Sequence, residues 1–228
     1  MSAKVDLTGK VAVVTGGGGI LCSSMAKALA ECGAKVAILD LRLENAEKVA
    51  KDIVGKGGNA IGIATNVLDL ESLKAAEKEI HERFGTCDIL INGAGGNHPK
   101  GTTSAEKLTL ADIQNPVPGK ITFFDLDPAG IGFVFNLNFL GTLLPCQVFC
   151  REMALKGGGC VINISSMNAF KPLTKIPAYS AAKAAISSRR AAASLAGPLV
   201  CRAFIRAPPF PSYSPAPRLP SGSGARRG

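Results

Sequence analysis

The chain has 228 residues, with 26 Lys and Arg against 17 Asp and Glu, a formal charge of +9; that length can bury a substantial core in one domain. The charge is unevenly placed: Arg189 to Gly228 holds seven Arg, seven Pro and no Lys, Asp or Glu, and taking that +7 from +9 leaves +2 for residues 1–188. Basic residues confined to a Pro-rich tail are not organised on a groove-fitting element, so no nucleic-acid partner is expected.

In chain order, "MSAKVDLTGK" is polar and lacks an apolar signal region. "KVAVVTG" (Lys10–Gly16) is a β-branched run ended by glycine, a buried strand. "SSMAKALAECGA" (Ser23–Ala34) has helical spacing and stops at Gly33. "KVAILD" (Lys35–Asp40) is a second strand, "RLENAEKVAKDIVGKGG" an amphipathic helix, "NAIGIATNV" a third strand and "DLESLKAAEKEIHERFG" another helix. "CDILINGAGG" (Cys87–Gly96) is a fourth strand. Residues 97–135 then break the rhythm, with Pro and Gly punctuation and no clean period, and read as a substrate loop or lid. "IGFVFNLNFLGTLLPCQVFCREMAL" is a long apolar helix, "GCVINISS" (Gly159–Ser166) a fifth strand, and "PAYSAAKAAIS" (Pro177–Ser187) begins a helix.

Apolar strands alternating with helices predict an α/β, doubly wound parallel sheet covered on both faces. Right-handed crossovers place the loops after each strand on one sheet edge, where functional groups gather. No apolar run reaches the roughly 20 residues of a membrane span. The seven Cys (Cys22, Cys32, Cys87, Cys146, Cys150, Cys160 and Cys201) have no metal-ligand spacing, and an odd count is a poor disulfide framework. The expectation is a cytoplasmic protein with no metal and no membrane partner.

"VVTGGGGILCSSMAKALAECGAKVAILD" runs strand, glycine loop, helix, strand, acid. Small residues let the backbone approach a pyrophosphate, and the helix amino terminus faces it with free N–H groups. Asp40, at the end of strand two, is placed to accept hydrogen bonds from adenosine ribose hydroxyls. A carboxylate there repels a 2′-phosphate, which favours NAD; Arg42, two residues on, keeps NADP open.

Tyr179 and Lys183 are four residues apart at a helix start and share one face. Ser166 ends strand five, and Asn138 lies in the preceding helix. A tyrosine is a poor base at its reference pKa of about 10, but a neighbouring ammonium favours the phenolate. The phenol can then exchange a proton with an alcohol or ketone near neutral pH, while a serine hydroxyl holds the reacting oxygen.

Through these motifs the chain resembles the short-chain dehydrogenase/reductase family over about residues 5–188. The resemblance rests on "TGGGG" (Thr15–Gly19), "NV" (Asn66–Val67), "NGAG" (Asn92–Gly95), "NFLG" (Asn138–Gly141), "NISS" (Asn163–Ser166) and "YSAAK" (Tyr179–Lys183). It implies a Rossmann-like fold and NAD(P)-dependent interconversion of a ketone and a secondary alcohol. It implies Tyr179 as acid/base, Ser166 as the group orienting substrate, Lys183 on the nicotinamide ribose, and Asn138 holding a water in the proton relay. It implies a cofactor site at Gly16, Gly18, Gly19, Ile20, Asp40, Asn66, Val67, Asn92, Gly93 and Ala94 together with Tyr179 and Lys183. A parent homodimer or homotetramer is also implied. More narrowly, "GAGGNHPKGTT" and "FFDLDPAGIGFVFNLNFLGTLLPCQVF" resemble the bacterial D-mannonate oxidoreductase (fructuronate reductase) branch, which implies a D-fructuronate/D-mannonate substrate pair; reductases of other sugars or polyols share much of the framework.

Three departures from the family pattern stand out. Its second and third loop glycines fall on Ile20 and Cys22. Its double asparagine after strand four is Asn92–Gly93. After about Ser188 the resemblance stops, and seven Pro in the tail cannot build the strand–helix–strand unit that should follow. The expectation is a domain at 1–188, strands six and seven missing, strand five left as a sheet edge, and an aberrant tail at 189–228 resembling out-of-frame translation, disordered from Phe210 on. Such a chain is expected to be poorly active or inactive, and a non-catalytic NAD-binding remnant is the alternative. An epimerase reading lacks room for the large substrate domain those enzymes carry. For a sugar-acid substrate, Lys100, Lys171 and Lys175 are the candidate cations, and Asn97, His98 and Asn168 the candidate partners of its hydroxyls.

Overall fold

The computed structural model describes residues 5–188 and 203–204. The strands are β1 (Val11–Thr15), β2 (Lys35–Asp40), β3 (Asn59–Ala64), β4 (Ile89–Asn92), β5 (Cys160–Asn163) and β6 (Ala203–Phe204). The helices are α1 (Ile20–Glu31), α2 (Leu43–Gly55), α3 (Leu70–Phe84), α4 (Leu110–Gln114), α5 (Pro128–Phe135), α6 (Gly141–Leu155) and α7 (Pro177–Ser188). All pairs are parallel, in the order β3-β2-β1-β4-β5-β6. The chain winds outward from β1 to β3, then returns to lay β4 on the other side of β1. The doubly wound fold expected from the sequence is therefore present, with its switch point between β1 and β4.

Alternation along each strand divides the core into two layers. Ala12, Val14, Val36, Ile38 and Ile91 pack with Ala26 of α1 and Val49 and Ile53 of α2. Val11, Val13, Leu39 and Leu90 pack on the other face with Leu73 and Ile80 of α3 and Phe149 and Met153 of α6. The register aligns Thr15 with Asn92 and Asn92 with Asn163, so three polar residues form a row at the carboxyl edge. Asn92 Nδ2 donates to Asn163 Oδ1 at 2.8 Å.

Two expectations need correcting. First, α5, a π-turn at Asn136–Leu140 and α6 run on as one 28-residue helix, Pro128–Leu155, long and apolar enough by length and composition to cross a membrane. Scattered Asn and Gln hid its mean apolarity in the sequence. Its inward side is occupied by protein contacts: Val134 packs on Ala178 and Ala182 of α7, and Phe149 and Met153 enter the sheet core. Second, a two-residue stub lies where β5 was expected to be a bare edge, although no full sixth strand is present among the described residues. Ala203 pairs with Ile162 and Phe204 with Asn163, so β5 is not a bare edge. This short stretch lies between Pro198 and Pro208, outside the proline cluster that argued against a strand. The disorder expected from Phe210 on lies outside the described residues.

Candidate active site

The β1–α1 loop is built for close approach. Gly16 has φ +61°, and a Cβ there would stand 2.9 Å from the Ala94 backbone. A Cβ on Gly17 would meet Ile38 at 2.6 Å, and one on Gly18 would meet Asn45 at 2.5 Å and Asp40 Oδ2 at 2.8 Å. Helix α1 starts at Ile20, three residues earlier than its spacing suggested, and its N-cap Gly19 offers no side-chain hydrogen bond. By contrast α3, α4 and α5 are capped by Asp69, Thr109 and Asp127. The first turn of α1 therefore keeps free N–H groups over a floor that only glycine fits, a cradle suited to a dinucleotide pyrophosphate. Ile20 is 92% exposed at its start.

Asp40 closes the far side. Its Oδ2 accepts from Gly18 N (3.1 Å) and its Oδ1 from Arg42 N (3.2 Å). The Arg42 side chain turns to Asn45, whose amide oxygen can accept from Nε and Nη2 at 2.9 and 2.7 Å. At the β3 exit, Asn66 Oδ1 accepts from Leu68 N, and Val67 is buried beside Gly141, where a Cβ would stand 3.0 Å from its Cγ2.

The β4 exit is tied to both neighbours. Thr15 Oγ1 accepts from Gly93 N (3.1 Å) and Ala94 N (3.3 Å). Asn138 is 0% exposed within the π-turn. Its Nδ2 donates to Gly96 O (2.7 Å) and Val134 O (2.8 Å), and its Oδ1 accepts from Gly96 N (3.3 Å). Both amide hydrogens are thus spent on backbone, and the side chain clamps the loop. A Cβ on Gly95 would lie 2.7 Å from Asn138 Oδ1 and 3.3 Å from Lys183 Nζ, which places the amide and the ammonium on one glycine.

Lys183 is 5% exposed. Its Nζ donates to Ile164 O at 2.8 Å and lies 5.5 Å from the Tyr179 ring centre, one helical turn away. Burial lowers its pKa to about 8, with Cys22 acting weakly the other way. Ser165 Oγ and Ser187 Oγ stand 2.7 Å apart and fasten the β5 exit to α7. Ser166 Oγ accepts from Asn168 N at 3.2 Å, capping the turn at Met167–Ala169. That bond occupies an acceptor position and leaves the hydroxyl hydrogen free to donate.

The short chain dehydrogenase family matches residues 10–196. The chain belongs to that family. It is 56% identical over 188 residues to an uncharacterized oxidoreductase of Haemophilus influenzae, covering 82% of this chain and 65% of that protein. It is 48% identical over 183 residues to the uncharacterized oxidoreductase UxuB of Bacillus subtilis, covering 80% and 64%. The chain thus spans just under two thirds of each relative. A crystal structure from Haemophilus influenzae, provisionally named a D-mannonate oxidoreductase and solved with bound NAD, superposes with a TM-score of 0.79 at 54% identity, covering 85% of this chain and 69% of that one.

Within this family member, the expected substrate groups are spread unevenly. Asn97 Nδ2 donates to Thr102 Oγ1 at 2.8 Å. His98 Nδ1 accepts from Lys100 N at 3.2 Å, and its ring lies 5.0 Å from that of Phe133. A neutral His98 therefore carries its proton on Nε2. Asn97 and His98 line an open cleft of about 490 Å³ with Thr102, Ser104 and Ile121. Lys100 pairs with Asp127 at 3.1 Å, and Lys171 is exposed. Asn168 is buried, with no hydrogen bond to its Oδ1. Sequence reading gave no role to Thr15, Gly95 or the Ile164 carbonyl. Gly95 lay inside a quoted motif; a backbone acceptor leaves no signal in the residue type.

Proposed function

We propose that this chain carries the cofactor and catalytic site of an NAD(P)-dependent oxidoreductase that interconverts a sugar-acid ketone and its secondary alcohol, the D-fructuronate/D-mannonate pair. The observation that carries the reading is Lys183: a buried amine held on Ile164 O, one turn from Tyr179 and beside the glycine that Asn138 crowds. The loop Gly16–Gly19 and the uncapped start of α1 (Ile20) would hold the pyrophosphate, and Asp40 the adenosine ribose. Asn66, Val67, Asn92, Gly93 and Ala94 would form the floor, and Tyr179 and Lys183 would meet the nicotinamide ribose. Arg42 engaged by Asn45, together with the carboxylate of Asp40, favours NAD over NADP.

When bound, the nicotinamide would supply the chemistry of hydride transfer, given by NADH in reduction and taken by NAD in oxidation. Ser166 donates its free O–H to the carbonyl oxygen and fixes it. Tyr179 gives that oxygen a proton in reduction and takes it back in oxidation. The Lys183 ammonium favours the phenolate and holds the ring's position on the helix face. Asn138 acts as a positioning residue through Gly96 and, as the family resemblance implies, would hold a water of the proton relay; it and Lys183 both border Gly95. Residues 1–188 would form the working domain; the family match runs on to 196, and 197–228 lie beyond it. Asn97, His98, Asn168 and Lys171 are the proposed contacts to the substrate's hydroxyls and carboxylate.

The test is steady oxidation of NADH by the full chain with D-fructuronate. Turnover that disappears in Tyr179→Phe supports the reading. NADH binding without turnover assigns the chain as a nucleotide-binding remnant, and no NADH binding at all removes the reading.

A further inference from the structure

Two departures from the family pattern, Cys22 and Gly93, meet in space. A Cβ built on Gly93 would overlap Cys22 Sγ, and would stand 3.5 Å from Cys22 Cβ and 2.9 Å from Thr15 O. The backbone does not demand glycine at 93, since its φ is not positive. Space alone demands it. Cys22 is buried on the inner face of α1 and packs into the core under β1 and β4. The third glycine of a dinucleotide fingerprint serves close packing of helix against strand. Here the helix side of that contact carries a thiol, and the glycine stands on the partner.

We propose that Cys22 and Gly93 are a matched pair of positioning residues: the glycine needed for close helix approach has been exchanged across the contact, and the pair sets how the β1–α1 loop seats on the β4 exit. The consequence passes to the groove through two neighbours. Gly16 rests on the Ala94 backbone, and Thr15 Oγ1 takes the N–H of both Gly93 and Ala94. The effect on cofactor seating rests on the dehydrogenase reading; the packing exchange does not.

The experiment compares the full chain with Gly93→Asn, Cys22→Gly and the double variant, reading NADH dissociation constants by fluorescence and unfolding midpoints in urea. Gly93→Asn is expected to weaken NADH binding about tenfold or more and to lower the midpoint, and the double variant to return binding to within about threefold of the parent. A merely structural Cys22 would not let a second substitution restore affinity. Gly93→Asn binding like the parent, or a double variant no better than Gly93→Asn, overturns the pairing. If Gly93→Asn is recovered only as aggregate, a soluble double variant supports the pairing and an insoluble one overturns it. If the parent itself binds no NADH, the dehydrogenase reading fails. The midpoints then decide the pairing: the double variant unfolding above Gly93→Asn supports it, and the reverse overturns it.

Discussion

Strands β4 and β5 are neighbours with nearly the same text, "ILIN" and "CVIN", paired residue for residue. Every residue of β4 is buried, and every residue of β5 is half-buried. The difference lies in their surroundings. β4 has β1 on one side and β5 on the other, and its side chains enter both core layers. Among the described residues, β5 has β4 along its length and β6 against Ile162 and Asn163 alone. Burial here is set by what lies beside a strand, not by its sequence. The proposed chemistry hangs on the less supported one: the Ile164 carbonyl that holds Lys183, and Ser166, both follow β5. Low local packing is the usual setting of parts that must move during turnover.

The largest expected effect separates the two regions by role. Tyr179→Phe is expected to lower kcat by roughly 10²–10⁴-fold while the NADH dissociation constant, read by fluorescence, stays within about threefold. Equal losses in both would place the tyrosine in binding. Next comes a matched pair in the sheet. Ile91 and Ile162 face each other in register, but only Ile91 is buried. Ile91→Ala is expected to cost about 3–4 kcal/mol in urea unfolding and Ile162→Ala about half that. Equal costs would mean that β5 is buried in solution as well as β4.

The third effect is pH dependence. Because the pKa of Lys183 is lowered by burial to about 8, the folded chain binds fewer protons than the unfolded one between about pH 8 and the ordinary lysine value of 10.5. Stability should therefore rise with pH across that window, by at most about 1.4 kcal/mol per pH unit for one proton. Below about pH 8 the buried ammonium is a constant cost. In Lys183→Met the added slope should vanish; an unchanged slope would assign it to other groups. The smallest effect is at Lys171, exposed on the turn after β5. Lys171→Ala should shift the unfolding free energy by less than about 0.5 kcal/mol, and if the lysine meets the substrate's carboxylate it should raise KM without changing kcat.

Much of this was legible beforehand for a simple reason. Strand periodicity, helix stops at glycine and the Tyr179–Lys183 spacing are local, and a sequence displays local facts. The start of α5 was equally local and was passed over: Asp127 then Pro128 is an N-cap followed by proline at the first helical position, hidden inside a stretch read as irregular. Other features had no local sign. The overlap of Cys22 with Gly93 joins residues far apart in the chain, and each read as an isolated defect. The pairing of Ala203 and Phe204 with β5 depends on where the chain returns. His98 and Lys100 looked like free polar groups on a loop, whereas one caps a turn and the other pairs with Asp127.

The π-turn at Asn136–Leu140 has a bearing on how this helix tolerates change in length. Its five residues turn the chain about as far as four residues of an α-helix do, so the extra residue is absorbed where it stands. Val134 before it packs on α7, and Phe149 and Met153 after it reach the sheet. Deleting one residue between Asn136 and Leu140 would let the turn close to ordinary α geometry and keep both contacts. Deleting one from the regular helix beyond Gly141 has no such slack and would turn the residues after it by about 100°. The turn is a spare link, which can be taken up without twisting the rest of the chain.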